Sequence, residues 1–276
     1  MGVMVVRQGV NGWLVMSGAD VAEQAATLSK SFGNDRFEPA DPSVIGALRR
    51  TACGWRAQET SLTLAADQQP DEGPSLEPCL RAWAQATQAE SDDDDAEVLL
   101  VTSVAVMRLA MDATALRLRQ TTAASALEER RHRFDHNKFF HAQIELQEEL
   151  RRRLGLSTER PLKLGIAETL DDPEEFALSV RVRLVLALLR MSELLARGCS
   201  GATLPVFDPS SGDDVPISLR PMQAPRWLVS PWCFRESEVA LRLPFRAMVH
   251  CARPDNTVRF ADLPRAPMDV KLVAGA

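Results

Sequence analysis

The stretch from about Pro173 to Arg197 constrains this chain more than any other. Val180, Val182, Leu184, Val185, Leu186, Ala187, Leu188 and Leu189 follow one another with little interruption, and Gly198 closes the segment. It is too long for a strand. Wound as a helix, it is apolar on nearly every side, and such a helix has to sit at the centre of a core with other elements around it. The rest of the chain must supply that surround. With 276 residues, 45% of them apolar, it has the material to do so.

Several segments read as the surrounding helices. Ser17 or Asp20 is placed to cap a first helix carrying Ala22, Ala25, Ala26 and Leu28, which Gly33-Asn34 can end in the left-handed conformation. A second is expected to start at Asp41-Pro42-Ser43, with proline in its first turn, and to end at Gly54-Trp55. Val98 to Met111 is almost wholly apolar and reads as a buried helix. Ser91 and Asp92 to Asp95 precede it. Four adjacent aspartates lack the alternating spacing and glycine of a calcium loop, and acids at a helix start suit the macrodipole. A long polar helix is expected from about Ala123 to Leu154. Asp67 to Pro78, rich in proline and acids, reads as a surface loop.

The two ends of the chain have a strand texture. Met4 to Arg7 and Trp13 to Met16 flank Asn11-Gly12, the dipeptide favoured in tight hairpin turns. After Gly198, short apolar runs separated by turn residues appear at Thr203–Phe207, Val215–Arg220, Trp227–Val229, Val239–Leu243 and Val270–Val273. The expected fold is therefore α+β: a mostly helical, all-α core with an N-terminal β-hairpin and a C-terminal antiparallel β-sheet, which the hairpin is free to join. The expected division is 1–198 and 199–276, packed as one compact unit.

Charge and composition exclude some functions. Lys+Arg 32 against Asp+Glu 38 gives a net charge of −6, so no nucleic-acid partner is expected. No run of about 18 apolar residues occurs, and Met1 to Trp13 lacks a signal-peptide layout, so neither a membrane span nor export is expected. Cys53, Cys79, Cys199, Cys233 and Cys251 are scattered, which suits reduced thiols in a cytoplasm. Lysine is scarce and tyrosine absent, as in GC-rich bacterial genomes, so abundant arginine is weak evidence for phosphate binding.

Chemistry is thinly signalled. The chain has no glycine-rich phosphate loop, no Gly-x-Ser-x-Gly elbow and no His-Glu-x-x-His. Glu129, His132 and His136 share one face of the polar helix, with Asp135 and His141 nearby, and His at i and i+4 can hold zinc. Arg130, Arg131 and Arg133 surround them and would repel a cation. The simpler reading is a solvated, salt-bridged face. His250-Cys251 are neighbours that a strand would point to opposite faces. Cys53, taken as lying at a helix end, has only Arg49 and Arg50 nearby to favour a thiolate.

A resemblance adds more. Met4-Val5-Val6-Arg7 leading into Gly12-Trp13-Leu14-Val15, Asp20-Val21-Ala22, Phe32-Gly33-Asn34, Ala47 to Trp55, Leu99-Leu100-Val101-Thr102, Ile217 to Pro221 and Ser230-Pro231-Trp232-Cys233-Phe234 occur in an order that resembles the domain of unknown function 3891 family of uncharacterised bacterial proteins. That family looks like a divergent relative of the metal-dependent HD phosphohydrolases. The resemblance implies an HD-like helical core with a metal centre. At the positions where the family carries its ligands, this sequence has Val21, Thr51, Ala52, Val104 and Ser192, or Glu193 in place of Ser192 if the register slips by one. A lone buried carboxylate costs several kcal/mol, so a site that has lost its cation is expected to fill with apolar residues. No metal or other cofactor is then expected, and no catalytic residue. The function implied is a catalytically inactive HD-like scaffold or regulatory protein that binds a protein or small-molecule partner. It includes a possible homo-oligomer or paralogue complex through Leu228, Val229, Trp232 and Phe234. The alternative is a metal-dependent phosphohydrolase-like hydrolase with its centre displaced to Glu129, His132 and His136.

Overall fold

A computed structural model describes residues 4–10, 12–59, 63–65, 76–88, 95–120, 126–157, 173–199, 202–249 and 257–275. The apolar hub is helix α6, Pro173–Arg197, and it is surrounded as its sequence demands. Helices α1 (Gly18–Ser31), α2 (Pro42–Glu59) and α4 (Ala96–Gln120) pack on it. Val185, Leu188, Leu189 and Leu195 share one hydrophobic cluster with Val21 and Ala25 of α1, Leu48 and Ala52 of α2, and Leu100 and Val104 of α4. Within α4, Ala96–Ala115 is long and apolar enough to cross a membrane by length and composition, although the sequence holds no uninterrupted apolar run of that length. In the fold 56% of that stretch is buried against its neighbours. Asp95 begins the helix, its carboxylate accepting from the amides of Glu97 and Val98. Asp92 to Asp94 lie outside the described residues.

Two further helices close the outside. α5 (Ala126–Leu154) lies along α4, and α3 (Leu76–Ala86) lies against α2. A buried polar chain fastens α5: Ser103 donates to the Gln143 carbonyl at 2.8 Å, Gln143 donates to Thr87 at 3.0 Å, and Gln147 donates to Ser103 at 2.9 Å. The end of α5 is held to the start of α6 by a two-pronged pair between Arg151 and Glu175, both buried. Each partner satisfies the other, which is the condition for tolerating charge at that depth. The expected loop over Asp67–Pro78 gives way to α3 from Leu76 onward. Cys79, Leu80 and Trp83 make its buried stripe.

Among the described residues the strands form three sheets. β1 (Met4–Gly9) and β2 (Gly12–Ser17) make the expected hairpin, and β8 (Arg246–Val249) adds to β2. β4 (Ala202–Asp208), β5 (Asp213–Pro221), β6 (Arg226–Ser230), β10 (Met268–Ala274) and β7 (Glu238–Leu243) form a second sheet in that order. β3 (Thr63–Ala65) and β9 (Thr257–Arg259) form a third. Two expectations are corrected here. The five-stranded sheet is not purely antiparallel, because β10 runs parallel to β6. The hairpin does not join that sheet but recruits its own strand from the C-terminal segment. The all-α core is also corrected. Leu204, Ile217, Leu219, Val229, Leu241, Val270 and Leu272 belong to the same hydrophobic cluster as α6, so the centre of the molecule is built from helices and strands together. Val229 and Phe234, expected in an exposed apolar patch, are fully buried, and Trp232 is partly buried against the core.

Gly54-Trp55 does not end α2, which continues to Glu59. Gly54 is needed for close approach. A Cβ there would stand 2.1 Å from the Ala82 carbonyl oxygen and 2.9 Å from Ala86, both on α3. Trp55 packs edge-on to Trp83 at 6.0 Å and covers Gly18, whose own Cβ would meet the indole at 2.8 Å. Cys53 therefore lies inside a helix, exposed, and not at a helix end. In an open helix, glycine to alanine gains about 1 kcal/mol. Here Gly54→Ala drives a methyl into a backbone carbonyl, and the expected outcome is a net loss of about 2 kcal/mol or more, read by denaturant unfolding.

The chain leaving α1 docks on the second sheet. Gly33, at φ +112°, donates its amide to the Cys233 carbonyl at 2.9 Å, and Asn34 Nδ2 donates to the Trp232 carbonyl at 2.7 Å. Asn34 Oδ1 accepts from the amides of Arg36 and Phe37, which fixes the turn. That turn sends the Arg36 Nε to buried Asp208 at 2.6 Å, while Ser210 donates to the same carboxylate through its amide and hydroxyl. These donors hold the Asp208 pKa down at about 2, against an ordinary 3.8. A lowered carboxylate pKa stabilises the fold above the ordinary value and loses that contribution as pH falls toward the lowered one. The melting-temperature gap between the native chain and Asp208→Asn is accordingly expected to be widest above pH 4 and to close as the pH drops toward 2, as followed by thermal unfolding across that range.

Candidate functional site

The five residues that stand where the resemblance implies metal ligands are all buried, between 0% and 1% exposed. Val21, Ala52 and Val104 are packed in the cluster that α6 anchors. Ser192 Oγ donates to the Val21 carbonyl at 2.8 Å, which joins α6 to α1 at this point. Thr51 Oγ1 donates to the Ala47 carbonyl at 2.9 Å within its own helix. Both hydroxyls are therefore satisfied, and the set contains no carboxylate, imidazole or thiol. The two candidate positions on α6 have different partners. Ser192 faces α1, whereas buried Glu193 pairs with Arg190 and Arg197 on its own helix. Burial pushes the Glu193 pKa up, but surrounding positive charge, those guanidiniums included, outweighs it and the net shift is downward.

The alternative centre is only partly described. Glu129 and His132 lie on α5, but their side chains fall outside the described residues. His136 stacks on Phe140 with ring centroids 4.3 Å apart, and its Nε2 is buried with no hydrogen-bond partner among the described residues. Burial lowers its pKa, which favours the neutral imidazole. His141 is exposed. Among the described residues no group of three His, Cys, Asp or Glu side chains is arranged to hold a metal ion. His250 and Cys251 lie outside the described residues.

A second site was not anticipated. A cleft of about 490 Å³ opens between the start of α1 and the turn joining β7 to β8, lined by Asp20, Arg242, Pro244, Phe245, Arg246, Arg265 and Pro267. Local rules place its carboxylate. Ser17 caps α1, accepting from the Asp20 amide at 3.1 Å, and its hydroxyl donates back to Asp20 Oδ2 at 3.0 Å. Burial raises the Asp20 pKa despite Ser17, Arg246 and Arg56. Glu59, at the end of α2, is close enough to feel Asp20. Its pKa is raised by burial and by that neighbouring charge against a lowering hydrogen bond from Ser17, and its Oε1 is buried without a hydrogen-bond partner among the described residues. Arg246 is rigidly held. Its Nη1 donates to the carbonyls of Ala261 and Leu263 at 3.0 and 3.2 Å, and its guanidinium lies over the Phe260 ring at 4.8 Å. No sequence signal connects Asp20 with arginines more than 200 residues away. Ser17-x-x-Asp20 announces only a helix cap.

Fold and site together define an α+β protein in which a hydrophobic helix junction stands beside an arginine-lined cleft. The chain belongs to the DUF3891 family: the model of that family, described as a protein of unknown function, matches residues 4–250. No curated protein and no solved structure matches the chain.

The junction's chemistry can be checked by reversing it. Val21→Asp would place a carboxylate with no cationic partner in a fully buried position. The expected outcome is a loss of about 3 kcal/mol or more in chemical unfolding, and one that added Mn or Zn does not restore.

Proposed function

We propose that this chain is a non-catalytic scaffold or regulatory protein that works by binding, on a helical core of HD-like descent whose metal site has been replaced by packing. The observation that carries the reading is the content of the α1–α2–α4–α6 junction: Val21, Ala52 and Val104 buried within one hydrophobic cluster, with the hydroxyls of Thr51 and Ser192 turned onto backbone carbonyls. A hydrolase of the implied kind needs a cation to activate water. A fully packed junction with no ionisable side chain among those five gives a cation nothing to bind. A reducing bacterial cytoplasm suits the free thiols of Cys53, Cys79, Cys199 and Cys233.

The reading favours a small-molecule partner over docking through the C-terminal apolar residues. Val229 and Phe234 are used by the core, whereas the cleft beside Asp20 is open. Elemental analysis of protein purified without chelator, with a phosphomonoesterase assay in added Mn, tests the proposal. Substoichiometric metal and no turnover are expected. Stoichiometric Mn, Fe or Zn that survives gel filtration would overturn it.

A further inference from the structure

We propose that the cleft between the start of α1 and the β7–β8 turn binds a small organic oxyanion that also carries a hydrogen-bond donor. The inference rests on the reading that the chain acts by binding, and it names the ligand class. Its geometry starts from an uncomfortable pairing. Arg246 and Arg265 are direct partners in an antiparallel bridge, fixed by the Phe245–Ala266 and Ala247–Pro264 backbone bonds on either side. Like charges placed opposite each other on paired strands repel. Arg242 lines the same cleft from the other side of the turn. Neither Arg242 nor Arg265 has an ion pair among the described residues, although Asp269 stands opposite Arg242 in the β7–β10 register. An oxyanion seated between them relieves the repulsion and takes the forked donors that guanidinium offers to phosphate or carboxylate.

The other end of the cleft asks for the opposite chemistry. Asp20 presents a carboxylate there, positioned by the α1 cap, with the Glu59 carboxylate close behind. Asp20 already accepts from Ser17, but two carboxylates stand close together here, and a ligand hydroxyl or ammonium gives them a further donor. Pro244, Phe245 and Pro267 provide apolar wall between the two ends. The volume, about 490 Å³, is that of a small-molecule site. Arg246 is already immobilised by two carbonyls and the Phe260 ring, so little ordering is needed when a ligand arrives.

Isothermal titration of the full chain with inorganic phosphate and with L-phosphoserine separates the two ends. Both are expected to bind the native protein, phosphoserine more tightly, and both more weakly as salt is raised. Arg242→Ser with Arg265→Ser removes two exposed side chains, and circular dichroism confirms that the variant folds. It is expected to weaken both ligands by at least about tenfold. Asp20→Asn keeps the cap and is expected to erase the advantage of phosphoserine without weakening phosphate. No binding to the native protein, equal affinity in the double arginine variant (an adventitious ion only), or equal weakening of both ligands by Asp20→Asn each overturns the proposal. Metal content and esterase activity do not enter these measurements, so failure here is distinct from failure of the non-catalytic reading.

Discussion

The structure depends on the burial of α6, which is most extensive from Val185 to Ala196. A helix with Val182, Val185, Leu188, Leu189 and Leu195 buried needs cover on more than one side, and one layer of helices covers only part of it. Helices α1, α2 and α4 take one side, and β4 and β1 take another. This is why strands from the C-terminal segment share a hydrophobic cluster with helices from the first half. The same constraint explains what fills the junction with α1 and α2. At the centre of such a core an ionisable group survives only with a partner. Arg151–Glu175 and the Glu193 pairs meet that condition, and Val21, Ala52 and Val104 avoid the need for it.

The segments that carry the family resemblance turn out to be one another's contacts. Phe32-Gly33-Asn34 lies on Trp232-Cys233-Phe234 through two hydrogen bonds, a Phe32–Phe234 bridge and edge-on rings 6.2 Å apart. Trp55, at the end of the Ala47–Trp55 segment, covers Gly18 at the start of α1. The Ile217–Pro221 segment supplies Ile217 and Leu219 to the central cluster. The shared pattern therefore describes how two halves of a chain are locked together.

The centre of the molecule and its edge differ sharply in chemistry. The junction is closed by hydrocarbon, while the cleft at the β7–β8 turn holds three arginines and a carboxylate, with a second carboxylate nearby. The first arrangement is apolar, and the second is charged. They are contributed by the same helix, since Val21 faces α6 and Asp20, one residue earlier, faces the cleft.

Much of the architecture was legible in the chain itself. The continuous apolar run bounds α6, Ser17 and Asp41-Pro42 begin α1 and α2, and alternating runs mark β4, β5, β6, β7 and β10, because caps and periodicity act within a few residues. Where a contact overrode the local signal, the sequence misled. Gly54 looks like a helix stop and is a crossing point, because the Ala82 carbonyl that requires it lies on a different helix. The parallel pairing of β10 with β6, and β8 on the hairpin, are likewise set by long-range register. The candidate cleft belongs wholly to this second kind. Arginine is common throughout the chain, so Arg242, Arg246 and Arg265 become distinctive only when folding sets them against Asp20. Local sequence determined which elements form and which faces are apolar; only the tertiary structure decided which charges meet, because electrostatic neighbours are chosen by distance in space and not along the chain.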